Sequence, residues 1–245
     1  MNDLLSADPV VDELNDTAPS SATQALQADY LVWRDAAQVL PILNRATEVI
    51  GEKGFGQASL RLIAKDSDFS SAAVYYYFRN KEELLFAIIR RGLLGVIDSV
   101  RQAVQSAGTP QEKLHAVIFA SLVYHIKNFN EFKVLFKESN SLAGEYAAEV
   151  QRLRDDYIDM VNVVIDDYLQ ETLTNLPEAT PAYDAWRKRQ VYFMIGMVSW
   201  TVMNRRRVQD SGPEAASVET LARELCDLYL NGMLFETRRS HNKDH

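Results

Sequence analysis

The residues able to do chemistry in this chain point to binding rather than catalysis. There is no Gly-rich phosphate loop, and no Ser/His/Asp or Cys/His motif suited to nucleophilic attack. His115 and His125 stand ten residues apart with no Cys or acidic partner at metal-ligand spacing, and His241 and His245 lie in a polar tail. The acid pairs Asp155-Asp156 and Asp166-Asp167 are sequence neighbours. Neighbours face different directions on a helix, so these pairs read as solvated faces rather than a shared catalytic site. Cys226 is the single cysteine, which rules out an intrachain disulfide and reads as a small buried apolar residue. An enzyme is therefore not expected, and neither is a metal or cofactor. What remains is the run Tyr75-Tyr76-Tyr77. Successive residues on a helix point about 100° apart, so at most two of the three can share a buried face. At least one hydroxyl stays exposed, where it suits a phosphate oxygen.

The elements that must position these residues are helical. From Tyr30 onward apolar residues recur at spacings of three and four, and Gly or Pro falls mainly at breaks. Capping chemistry marks starts at Asn80-Lys81-Glu82-Glu83, Thr109-Pro110-Gln111-Glu112 and Thr180-Pro181. The pattern predicts about nine helices, near 38–53, 60–66, 71–78, 81–106, 110–127, 131–138, 143–174, 181–207 and 214–238. Pro41 falls in the first turn of the first helix. The fold class expected is all-α, with a three-helix N-terminal domain and a C-terminal helical domain. Two short helices joined by a tight turn beneath a preceding helix form a helix-turn-helix. Its second helix enters the major groove and reads base edges from its N-terminal end. Ser70 stands where it caps that helix. The domains expected are a disordered acidic tail over 1–28, a helix-turn-helix domain over 29–80, a helical domain over 81–238 and a polar tail over 239–245.

Charge first argues against nucleic acid, because the 245 residues carry a net charge of −8. Its distribution reverses the argument. Residues 1–33 hold six acids and no Lys or Arg, residues 34–91 hold nine bases against seven acids, and residues 92–245 hold 17 bases against 21 acids. Only the segment with the helix-turn-helix is positive, and screening confines charge effects to about 8–10 Å. The opening MNDLLSADPVVDEL lacks a signal-peptide pattern. The longest uncharged apolar stretch, from Val191 to Met203, is shorter than the roughly 20 residues of a membrane span. A cytoplasmic protein is expected, with no membrane partner.

Residues 42–89 resemble the tetracycline-repressor (TetR) family. An apolar helix ends in Gly54-Phe55, the next helix opens at Ser59 and continues to Ile63-Ala64, and the turn and recognition helix read FSSAAVYYYF before Asn80-Lys81-Glu82-Glu83-Leu84. The resemblance implies double-stranded operator DNA as the partner. It implies phosphate contacts from Ser59 and Arg61, an exposed reading end at Ser71, Ala72 and Ala73 behind Ser70, and phosphate bonds from Tyr75 and Tyr77 with Tyr76 nearby. Lys81 is implied as a further phosphate contact, with Val74 and Phe78 in the core. Ala72 stands where the family often has Gly, and where many members place several bases ahead of the first helix only Arg34 and Arg45 are available. The small residues Ser71 and Ala73 leave room for readout of DNA shape.

Beyond residue 90 the resemblance implies a homodimer and a small hydrophobic effector. The dimer interface is expected on the last two helices, through Phe193, Gly196, Met197 and Trp200 with Leu225, Leu228 and Tyr229. The pocket is expected at Phe119, Val123, Phe132, Phe136, Tyr157, Met160 and Met194. The stretch NFNEFKVLFKESNSL resembles the members that regulate acyl metabolism, which implies an acyl-coenzyme A thioester, with the basic runs 187–189 and 205–207 available for phosphates. The function expected is a ligand-responsive repressor. The alternative is an interaction protein that uses DNA as a scaffold, with no effector cavity.

Overall fold

The computed structural model describes residues 36–65, 67–172, 180–205 and 217–241. The acidic tail over 1–28 and the bases at 206 and 207 lie outside them. The described residues form nine α-helices and no strand. They are α1 (Ala36–Lys53), α2 (Leu60–Ala64), α3 (Ser71–Tyr77), α4 (Lys81–Gln105), α5 (Pro110–Lys127), α6 (Phe129–Glu138), α7 (Gly144–Thr172), α8 (Pro181–Met203) and α9 (Val218–His241). Helix α1 begins two residues before the expected start, so Pro41 falls in its second turn.

Local chemistry explains most starts. The side chains of Ser59, Ser70, Asn80, Thr109 and Thr180 each accept a hydrogen bond from the backbone N–H three residues on. Such a cap is worth about 1 kcal/mol. At Thr109 the cap is reciprocal, because the Glu112 carboxylate accepts from the backbone N–H groups of Thr109 and Gly108 at 2.9 and 3.0 Å. Those bonds hold the Glu112 carboxyl below its ordinary pKa. The exit from α1 needs Gly54, whose φ of 82° is a conformation that side chains disfavour.

Two hydrophobic cores share three helices. The N-terminal core joins Ile42, Leu43 and Ile50 of α1, Ile63 of α2 and Val74 of α3 to Leu84, Leu85, Ile88 and Ile89 of α4. Val134 of α6 and Val150 and Leu153 of α7 complete it. The C-terminal core starts further along α4 at Val96 and takes in α5, Phe132 of α6, the rest of α7, α8 and α9. The N-terminal core thus runs past residue 80 into the first half of α4. Helices α4, α6 and α7 each contribute to both.

Candidate nucleic-acid interface and ligand cavity

Helix α3 presents one buried and one open face. Val74 is fully buried and Phe78, at its C-terminal cap, is buried with it, so both anchor the helix from below. On the other side Tyr75 is 53% exposed and Tyr76 75% exposed. Tyr77 is half-buried and donates through its hydroxyl to the Gln38 side-chain oxygen at 2.7 Å, tying α3 to α1. The leading end carries Ser70, whose hydroxyl oxygen accepts from the Ala73 N–H at 3.1 Å. Ala72 there is exposed, and Ser71 and Ala73 are half-buried. Ser59 and Arg61 are exposed at the start of α2. Lys81 is committed elsewhere, since its ammonium sits 4.5 Å from the centre of the Phe55 ring and donates to the Phe55 carbonyl at 3.2 Å. A phosphate would have to share it with the turn after α1.

The exit from the recognition helix is fastened to α7. The Arg79 guanidinium bonds the buried Glu83 carboxylate and, at 3.3 Å, the Tyr146 hydroxyl. Glu83 holds the Arg79 pKa above its ordinary value. Glu82 accepts from the Ala143 N–H at 3.0 Å, just before α7 begins. Phe86 stacks on Tyr146 with ring centres 4.6 Å apart.

A second fastening lies deeper. Glu131 of α6 is 7% exposed and receives Arg91 of α4, which also donates to Asn44 of α1 at 3.1 Å. The Tyr124 hydroxyl of α5 donates to the same carboxylate at 3.3 Å. Burial, and after it the Glu131 carboxylate, pushes the Tyr124 pKa up. Close approach is possible because α4 carries Gly92 and Gly95. A Cβ on Gly92 would stand 3.1 Å from Glu131, and one on Gly95 only 1.9 Å from the Tyr124 hydroxyl. These residues went unremarked in the sequence, where Gly92-Leu93-Leu94-Gly95 was the available signal.

A cavity of about 330 Å³ opens between α4, α5, α6, α7 and α8. Of the residues expected to line it, Phe132, Phe136, Tyr157 and Met194 do so. Phe119, Val123 and Met160 are not among the residues lining it. On α5 the cavity face is set by Ser121 and His125, and Phe119 and Val123 lie two residues away from Ser121, on the opposite face. Phe119 stacks on His115 instead. Met160 lies beyond the Gln151, Arg154, Tyr157, Ile158 stripe by which α7 meets the cavity. Apart from Tyr157, the polar members of this wall were missed in the sequence. Their signal was the spacing of three and four from residue 151 to 158, opposite Ser121 and His125.

Inside, the Ser121 and Tyr157 hydroxyls are hydrogen-bonded at 2.9 Å. Burial pushes the Tyr157 pKa up to about 12 and the His125 pKa down to about 4. Both groups are therefore uncharged near neutral pH. Phe136 and Tyr192 line the cavity yet are 56% and 55% exposed, which puts them at its mouth.

The expected dimer residues divide. Phe193, Gly196 and Trp200 form an exposed stripe on α8, and Leu228 is exposed on α9. Met197 and Leu225 are half-buried against the chain's own core. Tyr229, also expected at the dimer interface, is 5% exposed within the chain's own core. The basic runs are also partly spoken for, with Arg187 paired to Asp166 and Asp184 and Arg205 stacked over Phe129. Among the described residues no helix is long and apolar enough to cross a membrane.

Comparison with known proteins agrees with this architecture. Residues 42–88 match the family model of bacterial regulatory proteins of the tetR family, and residues 107–233 match the tetracyclin repressor-like C-terminal domain. The fatty acid metabolism regulator protein of Bacillus subtilis is 24% identical over 131 residues, covering 54% of this chain and 68% of its own. The regulator BetI of Rhizobium meliloti is 35% identical over 80 residues, 33% of this chain and 39% of its own. Among solved structures, AibR in complex with isovaleryl coenzyme A and operator DNA superposes with a TM-score of 0.64 at 22% identity, covering 78% of this chain and 97% of that one. The two domain matches together place the chain in the TetR family of DNA-binding transcriptional regulators.

Proposed function

We propose that the protein is a ligand-responsive repressor. It binds palindromic operator DNA as a homodimer and releases it when a hydrophobic small molecule, in the first instance an acyl-coenzyme A thioester, enters the cavity. One observation carries this reading: α6 faces both the cavity and the DNA-binding core. Phe132, Leu135 and Phe136 wall the cavity, and between them Val134 is fully buried in the N-terminal core. Close-packed interiors transmit displacement instead of absorbing it. A ligand that shifts α6 shifts α1 and α4, and with them the spacing of two recognition helices that must stand about 34–36 Å apart.

On this reading Ser59, Arg61, Tyr75 and Tyr76 hold phosphates. Ser71, Ala72 and Ala73 approach the bases, and Ser70 and Tyr77 set the pose of α3. The dimer forms through Phe193, Gly196, Trp200 and Leu228, since an exposed apolar stripe of this kind is the usual mark of a protein contact. The DNA-binding unit ends near residue 80, and the ligand and dimer unit runs to residue 238. The thioester assignment draws support from the B. subtilis regulator of fatty acid metabolism and from AibR with its isovaleryl coenzyme A. The scaffold alternative calls for no effector cavity, and the 330 Å³ space favours the ligand-responsive reading over it.

Gel-shift titration of the purified protein on its own upstream region, with and without long-chain acyl-coenzyme A, tests this. Tight binding abolished by the thioester is the expected result. Binding indifferent to every acyl thioester would remove the effector reading, and no binding would remove the operator.

A further inference from the structure

Arginines of this protein that are half-buried are normally neutralised. Arg45 pairs with Glu48, Arg90 with Glu149, Arg91 with Glu131, and Arg187 with Asp166 and Asp184. Arg154 departs from that rule. It is half-buried in α7 and lines the cavity, and it has no ion pair or hydrogen bond among the described residues. Its helix is rich in acids, but Asp156 is taken by Arg152 and Asp155 by Gln151.

The cavity wall contains no Asp or Glu, and Arg154 is the one residue of fixed charge on it. Its other polar residues carry no fixed charge: Ser121, His125, Gln151, Tyr157, Tyr192 and Ser199. The rest of the wall is aliphatic or aromatic, including Phe132, Leu135, Ile158, Met194 and Val198. A guanidinium partly withdrawn from water without a counter-charge costs free energy that an anionic partner recovers. The volume sits at the low end of the roughly 300–1,000 Å³ typical of ligand pockets, too small for an entire acyl-coenzyme A.

We propose that Arg154 is the headgroup anchor of the cavity, and that the effector is an anionic amphiphile whose apolar chain fills the space between α5, α6 and α8 while its anion bonds the guanidinium. This rests on the ligand-responsive reading above. The anion is either the carboxylate of a free fatty acid or a phosphate of an acyl thioester whose nucleotide stays outside the mouth at Phe136 and Tyr192.

The test is calorimetric titration of the full chain with dodecanoate, methyl dodecanoate and dodecanoyl-coenzyme A, repeated on Arg154→Gln and Arg154→Lys. Gln and Lys are good helix formers, and thermal melting monitored by circular dichroism verifies that both variants fold. If the anion is a carboxylate, dodecanoate binds about tenfold to a hundredfold more tightly than its ester. Arg154→Gln then loses that margin and Arg154→Lys recovers part of it. If the anion is a phosphate, dodecanoyl-coenzyme A alone shows the same dependence on Arg154. Equal affinity for acid and ester together with an unchanged Arg154→Gln variant overturns the proposal. A parallel gel shift separates the two failures. A ligand that binds Arg154→Gln undiminished and still releases DNA sinks the anchor and spares the effector reading, whereas no response to any of the three probes sinks both.

Discussion

The two cores of this protein are built to different ends. The N-terminal core is filled chiefly with Ile, Leu and Val from helices α1 to α4, and the polar side chains buried beside it, Thr47 and Glu83, are tied into hydrogen bonds. The C-terminal core encloses a 330 Å³ cavity and buries hydroxyls, an imidazole and part of a guanidinium in the wall. On the proposed function, the first holds its shape against DNA and the second leaves room for an effector.

The largest expected effect is in the filled core. Leu85 is fully buried, and Leu85→Ala should cost about 2–5 kcal/mol in denaturant unfolding. Phe136→Ala, at the exposed cavity mouth, should cost less than about 1 kcal/mol. Equal costs would erase the contrast between the two regions.

Next comes the seam between the regions. Gly95→Ala drives a methyl group into the Tyr124 ring and should destabilise by about 1–3 kcal/mol. Adding Tyr124→Ala should remove the clash, and the double-mutant cycle should show a coupling above about 0.5 kcal/mol. Strict additivity would mean that the two helices do not depend on this contact.

His125 gives the C-terminal region a pH dependence of its own. Its folded pKa near 4 lies below the ordinary value of 6.5 because burial disfavours the imidazolium. The unfolded chain therefore takes up the proton first on acidification. The contribution is complete above pH 6.5 and is lost as pH falls from 6.5 towards 4, on the order of 3 kcal/mol in all. His125→Phe should show a shallower loss of stability across that window than the unaltered protein. Identical slopes would show that the imidazole is open to water.

The smallest effect is on the DNA face. Arg61→Ala should leave stability within about 0.5 kcal/mol, weaken binding to all sequences by a similar factor, and lower the salt slope by about 1. Weakening confined to one operator sequence would make Arg61 a base contact instead.

How much of this was legible follows the same division. The helix-turn-helix could be read because its signals are local: hydroxyl caps at Ser59 and Ser70, a Gly at the α1 exit, and apolar spacing at Val74 and Phe78. The nine helices emerged from the same signals. The cavity could not be read in full, because membership of its wall depends on which face of α5 and α7 turns inward. That phase separates Ser121 and His125 from Phe119 and Val123, and an apolar stripe alone does not fix it. Tyr229 carries the same lesson, since a stripe on α9 looks alike whether a partner or the chain itself covers it. Arg154 stood in the sequence as one cation among many acids. Its significance depends on which acids are already paired.

On the proposed function, cavity and DNA face are coupled through α4, α6 and α7. Linkage makes that coupling reciprocal. The direct measurement is the affinity of dodecanoyl-coenzyme A for the protein alone and for the protein saturated with operator DNA. Operator should weaken thioester binding by the same factor by which the thioester weakens operator binding. Equal thioester affinities in the two states would contradict it.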